Sequence, residues 1–507
     1  MTYASSHRLL RERGICVVIP TSGNVATIRD VVERTLACCL DVIVVADGPT
    51  DGTLDVLLSI EGITVVPLAK TSGKGAALKQ GFRKAIDMGF AYAITLDADG
   101  QHFPEDIPTL LHANQKHPGA LIVGRRKGLD KAERSFGSKF ANAFSNFWFA
   151  VQTGHYLKDT QTGFRLYPLR KLRGLSLLTA RFEAELELLV FASWHGVEIV
   201  SVPVNVFYPK PEERVSYFRP VPDFTRIFVL NTVLCLLAVI YGLPLAIGRW
   251  LLTATRSLYS LLFFLLFVLL IAPPYTLYCI LTAKGVPDDG EGKEKERQGL
   301  HRMLCFFARL VTLWHGIPGV KFSLSNPHGE DFSRPAIIIS NHQSHLDLMT
   351  VLMLTPKLVC LTKDWVWRNP LYGYIIRRAE FYPVTEGTEA LMPKLQSLID
   401  RGYSIVVYPE GTRSPDCTVK RFRQGAFYLA QQLHIDVLPI VLYGTGKALP
   451  KKGKRLRKWP VRMEIDERIS PEAMQALGTT PKEQASKMRE YYKRRYAELS
   501  NRIEQDV

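Results

Sequence analysis

Two carboxylates, Asp97 and Asp99, stand in the string Leu96-Asp97-Ala98-Asp99-Gly100-Gln101-His102, directly after the apolar run Ala93–Leu96. Carboxylates are hard oxygen donors. They suit Mg²⁺ or Mn²⁺, ions that usually bind substrate phosphates as well. Upstream, Gly73-Lys74-Gly75 opens a helical stretch, where a basic side chain and free amides can meet a phosphate. Much later, Asn341-His342-Gln343-Ser344-His345-Leu346-Asp347 follows the apolar run Ala336–Ser340. An imidazole near neutrality needs a carboxylate to fix its tautomer, and Asp347 lies within a helical turn of His342. The pair could take a proton from a hydroxyl. In Tyr408-Pro-Glu-Gly-Thr-Arg-Ser414 a glycine turn exposes amides, and Arg413 offers a fork for phosphate or carboxylate.

The elements that must position these residues repeat one pattern twice. Ile15–Ile19, Val42–Val45, Val65–Val66, Ala93–Leu96 and Ala120–Val123 read as buried strands, with helical stretches such as Thr27–Leu36 and Gly75–Met88 between them. Ala336–Ser340, Ser404–Tyr408 and Val437–Leu442 again alternate with helices. Alternating strands and helices predict α/β domains with mostly parallel sheets. Ligands of such sheets bind beyond the carboxyl ends of the strands, where both motifs fall.

Between the two halves lies the most hydrophobic part of the chain. Ile227–Ile247 and Leu258–Ala283 carry no charge, and Gly248–Ser257 between them holds Arg249 and Arg256. Runs of this length predict a membrane hairpin, with a re-entrant second helix bent at Pro273-Pro274 as the alternative. Lys and Arg in the flanks place both flanks on the cytoplasmic face. The expected domains are therefore 1–226, a transmembrane or re-entrant hairpin at 227–283, and 284–507. Leu300–Trp314 has helical apolar spacing, suited to the membrane interface or to packing on the following domain.

The 507 residues carry a net charge of +16, which implies an anionic partner. No nucleic-acid module is visible, so an anionic membrane is the expected one. Eight scattered cysteines without a Cys-x-x-Cys pair indicate neither a zinc site nor a disulfide frame. Met1–Gly14 lacks an apolar core, so no secretory signal is expected. A bacterial-type inner membrane with both catalytic domains in the cytoplasm is the predicted location.

Six strings of the first half occur in order: Val17–Thr21, Val44–Thr53, Gly73–Ala77, Asp97–His102, Asp159-Thr-Gln-Thr-Gly-Phe-Arg165 and Phe182-Glu-Ala-Glu-Leu186. The set resembles family 2 glycosyltransferases of the polyprenol-phosphate sugar transferase branch. The resemblance implies a GT-A Rossmann-like fold and inverting transfer from a nucleotide sugar. It implies that Pro20, Asp47 and Lys74 line the nucleotide, and that Asp97, Asp99 and Gln101 hold Mg²⁺ or Mn²⁺ and the diphosphate. Arg126 and Arg134 would face an acceptor phosphate, with Gln161 and Gly163 on the acceptor side. A lipid-phosphate acceptor is already anionic and needs no base, whereas a hydroxyl acceptor would call on Asp159 or Glu185. The family's paired aspartates are replaced here by Ala46-Asp47, and Ser22-Gly23 follow Thr21.

The His342 loop, the Glu410-Gly-Thr-Arg413 string, Phe422-Arg-Gln-Gly425 and Val437–Ile440 together resemble the glycerolipid (lysophosphatidic-acid-type) acyltransferase family. That resemblance implies a cofactor-free transfer of an acyl group from acyl carrier protein or a CoA thioester to a hydroxyl. His342 and Asp347 would be catalytic; Asn341, Ser344, Glu410, Gly411, Thr412 and Arg413 would hold the acceptor. The family's second block usually ends in arginine, but Glu380-Phe-Tyr-Pro-Val384 has none. The combined expectation is a bifunctional membrane enzyme of glycolipid synthesis, using a nucleotide sugar, a lipid acceptor and an acyl thioester. The alternative keeps one domain catalytic and the other as a binding platform.

Overall fold

The computed structural model describes residues 3–127, 136–174, 178–207, 220–283, 291–313, 318–453 and 455–506. The chain divides into two compact units between Arg249 and Trp250.

In the first unit, β1 (Ile15–Thr21), β2 (Val42–Asp47), β3 (Ile63–Leu68), β4 (Tyr92–Thr95), β5 (Leu121–Arg126), β6 (Arg165–Pro168) and β7 (Ile199–Val204) form one sheet of order β3-β2-β1-β4-β6-β5-β7. β6 runs antiparallel to both neighbours; the other pairings are parallel. The 3-2-1-4 order of the first four strands is that of a Rossmann half. β1 and β2 are buried at every position, which is why they read as unbroken apolar runs. The crossing of sheet order beside β1 and β4 opens a crevice at their carboxyl ends, where Asp97 and Asp99 sit.

In the second unit, β8 (Phe322–Ser325), β9 (Ile337–Ser340), β10 (Leu358–Cys360), β11 (Ser404–Val407), β12 (Val437–Tyr443) and β13 (Val461–Ile465) form a sheet of order β10-β11-β9-β12-β13-β8, with only the β12–β13 pairing antiparallel. Central β9 is fully buried, and its carboxyl end delivers the His342 loop. The expected α/β class holds in both units.

The membrane hairpin does not form. Thr225–Ala283 is one helix of 59 residues. The expected break at Gly248–Ser257 falls inside its helical stretch Leu243–Leu266. Arg249 and Arg256 are good helix formers, so charge alone does not interrupt it. Pro273 and Pro274 are absorbed just after a π turn at Phe267–Ile271, which relaxes the local ladder. Nor is the helix a separate module. Leu230 and Leu234 join the core of the first unit with Leu189 and Trp194. Phe267, Val268, Ala272 and Cys279 join the core of the second with Leu300, Met303 and Phe307. The rings of Phe267 and Phe307 stack at 3.7 Å between centroids. The stretch from Leu300 to Leu313 packs on its domain, as part of the helix Glu291–Leu313. Trp314 lies outside the described residues.

Candidate active sites

The first site is built where β4 ends. Lys74, the first residue of the helix Lys74–Asp87, places its Nζ 2.7 Å from Asp97 Oδ1 and 2.8 Å from Glu185 Oε2. Burial alone would lower the Lys74 pKa, but Asp97 and Glu185 outweigh it and raise it. Asp97 is likewise penalised by burial, yet Lys74 keeps its pKa low. Among the described residues Asp99 has no ion-pair partner: burial and the adjacent Asp97 push it up to about 6. One Asp99 oxygen accepts the Gln101 amide at 3.0 Å. The two carboxylates thus divide the work: Asp97 is anchored by a cation, and Asp99 carries charge that a cation would relieve.

Several residues expected at a ligand also make contacts that hold the scaffold. Pro20 is buried in β1, paired with Val45. Asp47 is buried, and its two oxygens accept the Ser72 and Gly73 amides at 2.8 Å each, which pins the loop that starts the Lys74 helix. Gly163 packs against Asp97, and a Cβ there would collide with the carboxylate. Its carbonyl accepts Thr95 Oγ1 at 2.6 Å. Gln161 has an exposed side chain on the same loop. Arg126 and Asp159, expected to face the acceptor, face each other. Nε and Nη2 of Arg126 donate to the two carboxylate oxygens at 2.8 Å each, the Arg126 amide adds a third bond, and Asp159 is 1% exposed. Burial works against the Asp159 charge, but Arg126 more than offsets it and lowers the pKa. A carboxylate so held is a poor proton acceptor. Glu185 keeps one unpartnered buried oxygen, Oε1, beside its Lys74 bond. Arg134 lies outside the described residues.

Two residues without an assigned role belong to this site. Arg165 is fully buried and donates to the carbonyls of Thr160 and Glu185 and to the Tyr167 hydroxyl, which ties the 159–165 loop to the Glu185 helix. His102 is buried 3.9 Å from Asp97, and burial drives its pKa down to about 4, so it packs as a neutral ring. Arg165 ends the motif string, but only the fold shows what it binds.

The second site is built where β9 ends. His342 Nδ1 lies 2.8 Å from Asp347 Oδ2, and the same oxygen accepts the Gln343 and Ser344 amides at 2.6 and 2.8 Å. Asp347 is fully buried in the short helix Leu346–Leu352. With Nδ1 committed, Nε2 is the ring atom left to accept a proton. The Tyr408 ring stacks on the imidazole at 4.3 Å. Glu410, expected to touch the acceptor, braces the loop instead: its two oxygens accept the His342 amide at 2.8 Å and the Lys420 amide at 3.1 Å. Burial raises its pKa, and those two amides partly counter the effect.

Asn341 and Ser344 are also structural. Asn341 is buried and exchanges two 2.8 Å bonds with the Leu442 backbone, locking β9 to β12. Ser344 Oγ donates to the Leu449 carbonyl at 2.8 Å. Gly411 turns the loop at φ +65°, where a side chain would be strained and would press on Arg423. Thr412 and Arg413 are half-buried beside the base. The Arg413 guanidinium lowers the pKa of His345, second to burial. The His342 carbonyl accepts the Ser414 amide at 2.8 Å, so the two motif strings are stitched directly.

Each of the two α/β sheets holds a charged site at the carboxyl ends of its strands, and the family matches mark both units as transferase domains. Residues 16–168 match the model of Glycosyl transferase family 2, and residues 324–443 match the Acyltransferase model. The chain carries a domain of each family. A chloroplastic 1-acyl-sn-glycerol-3-phosphate acyltransferase of Arabidopsis thaliana is 31% identical over 149 residues, 28% of this chain and 42% of that protein. A UDP-N-acetylglucosamine–dolichyl-phosphate N-acetylglucosaminyltransferase of Methanococcus voltae is 26% identical over 220 residues, 39% of this chain and 88% of that protein. The chain therefore spans less than half the length of the plant relative. Among solved structures, a 1-acyl-sn-glycerophosphate acyltransferase from Thermotoga maritima is 21% identical with a TM-score of 0.41, covering 50% of this chain and 98% of that one. Glucosyl-3-phosphoglycerate synthase from Mycobacterium tuberculosis is 20% identical with a TM-score of 0.37, covering 46% and 84%.

Proposed function

We propose that the protein is a bifunctional membrane-attached enzyme of glycolipid synthesis. Its first domain would move a sugar from a nucleotide diphosphate to a lipid acceptor. Its second would move an acyl group from acyl carrier protein or CoA to a hydroxyl. The observation that carries this reading is that each domain holds its own charged constellation: Lys74–Asp97–Asp99 in one and His342–Asp347 in the other.

In the acyl site, Asp347 holds Nδ1 so that Nε2 removes the acceptor hydroxyl proton as the oxygen attacks the thioester carbonyl. The new C–O bond forms, the C–S bond breaks, and the same imidazole returns the proton to the departing thiolate. In the sugar site, the acceptor oxygen bonds to the anomeric carbon as its bond to the diphosphate breaks. Lys74 is placed to follow the leaving charge. Asp97 and Asp99 fit a divalent cation: among the described residues no third His, Cys, Asp or Glu joins them, so the remaining ligands would be phosphate oxygens and water. Such a cation would neutralise the leaving diphosphate. With Asp159 tied to Arg126, an acceptor that is already an anion suits the site best. The archaeal relative, whose acceptor is dolichyl phosphate, supports that choice.

The long helix supports membrane attachment. Its window reaches a mean hydropathy of 2.2 and is only 22% buried. In the second unit, Leu251, Leu252, Leu258, Leu261 and Leu262 are each about half exposed, while Phe267 and Ala272 pack inward. One side of a helix engaged by its own domain suits lying along the cytoplasmic leaflet better than crossing it.

Asp99→Ala and His342→Ala, each assayed for both reactions, test the assignment. Each is expected to lose one transfer and keep the other; loss of neither or of both overturns it. Mass spectrometry of lipids missing from a deletion strain tests whether the two steps share a product. Two unrelated missing lipids would separate them.

A further inference from the structure

The arginine expected at the end of the second acyltransferase block is absent, and Glu380 there is engaged by Arg297 at 3.0 Å and Arg401 at 2.7 Å. Positive charge gathers instead at the Glu410–Arg413 loop, whose Glu410 accepts the His342 amide. Lys451, in the loop after β12, places Nζ 2.9 Å from the Arg413 carbonyl and 3.2 Å from Thr412 Oγ1. Lys420 Nζ reaches the same Arg413 carbonyl at 3.2 Å. Lys420 is registered to the base through Glu410, which accepts the His342 and Lys420 amides together. Among the described residues, no carboxylate lies within ion-pair distance of Lys420, Lys451 or the Arg413 guanidinium. Two ammonium groups sharing one carbonyl keep further donors free, and like charges held together without a counter-ion create a potential that an anion relieves. Desolvation and the neighbours Lys420, Arg413, Lys363 and Lys452 hold the Lys451 pKa below its ordinary range.

We propose that Lys420 and Lys451, with the Arg413 guanidinium, form a phosphate-binding subsite beside His342, so that a loop after β12 supplies the cation that the second block lacks. The proposal rests on the acyl-transfer reading of this site. The phosphate comes either from the acceptor or from the thioester donor, and both present the same chemistry.

The full-length protein is compared with Lys451→Met, Lys420→Met and Lys451→Arg, using a 1-acylglycerol 3-phosphate and a 1-acylglycerol as paired acceptors. Lys451→Met is expected to raise KM for the phosphorylated acceptor about tenfold or more and to cut the preference for it, while Lys451→Arg restores most of both. A rise confined to the thioester KM assigns the phosphate to the donor and keeps the subsite. A fall in kcat with both KM values unchanged, or an equal loss in Lys451→Arg, overturns it. A second measurement does not depend on turnover: glycerol 3-phosphate, and not glycerol, should raise Tm in the wild type but not in Lys451→Met. If that shift appears without any acyl transfer, the catalytic reading fails and the subsite stands. If neither the shift, nor the acceptor preference, nor a rise in the thioester KM appears, the subsite is wrong.

Discussion

Oδ2 of Asp347 lies 2.8 Å from Nδ1 of His342 while also accepting two backbone amides. One buried oxygen therefore sets both the shape of the loop and the tautomer of the ring. Asp347→Asn keeps the volume but presents an amide that can donate to Nδ1 and favour the wrong tautomer. Acyl-transfer kcat should fall by about a thousandfold or more, with sugar transfer retained. Steady-state assays of both reactions on one preparation check this; a fall below tenfold would remove His342–Asp347 as the working pair.

The Arg126–Asp159 pair makes a different demand. Its side chains are 13% and 0% exposed, so removing one partner strands a buried charge. Asp159→Ala should destabilise the first unit by about 3–5 kcal/mol, and Arg126→Met with Asp159→Leu should recover much of that loss. Urea unfolding followed by tryptophan fluorescence reads the effect. Unchanged stability with sugar transfer abolished would return Asp159 to the role of base.

His301 gives the second unit an acid sensitivity. Its ring is buried, bonded to the Ala379 carbonyl at 3.0 Å, and burial lowers its pKa to about 4 from the ordinary 6.5. A histidine depressed in the folded state favours folding above pH 6.5, and that contribution is lost as pH falls from 6.5 towards 4. The loss is on the order of 3 kcal/mol. His301→Gln should flatten the fall in Tm over that window. An equal slope in the variant would assign the acid sensitivity to other groups.

The exposed apolar residues of Trp250–Ala283 offer a test of the proposed membrane attachment. Leu258→Asp with Leu261→Asp should weaken flotation with vesicles containing anionic lipid and leave the soluble fold intact by circular dichroism. Single cysteines placed along this stretch should all be labelled from the cytoplasmic side or be shielded by lipid. Labelling of any from the opposite side would restore a spanning helix.

The sequence by itself determined the two α/β domains, because buried parallel strands must be apolar throughout and such runs are visible without a fold. It also placed Asp97 and Asp99, and His342 and Asp347, each directly after a buried strand, since these residue types at short spacing need little beyond a strand end to come together. Tertiary structure alone decided the long-range pairings. Lys74 meets Glu185, Arg126 meets Asp159, Asn341 meets Leu442, and Lys451 meets Arg413, each through a crossover that local spacing does not encode. These pairings give several residues expected at a ligand a part in the scaffold, and they gather Lys420 and Lys451 at the Arg413 carbonyl. The long helix shows the same division. Its hydropathy was legible, but its direction depended on which turns found partners in each domain, and those partners lie far away in the chain.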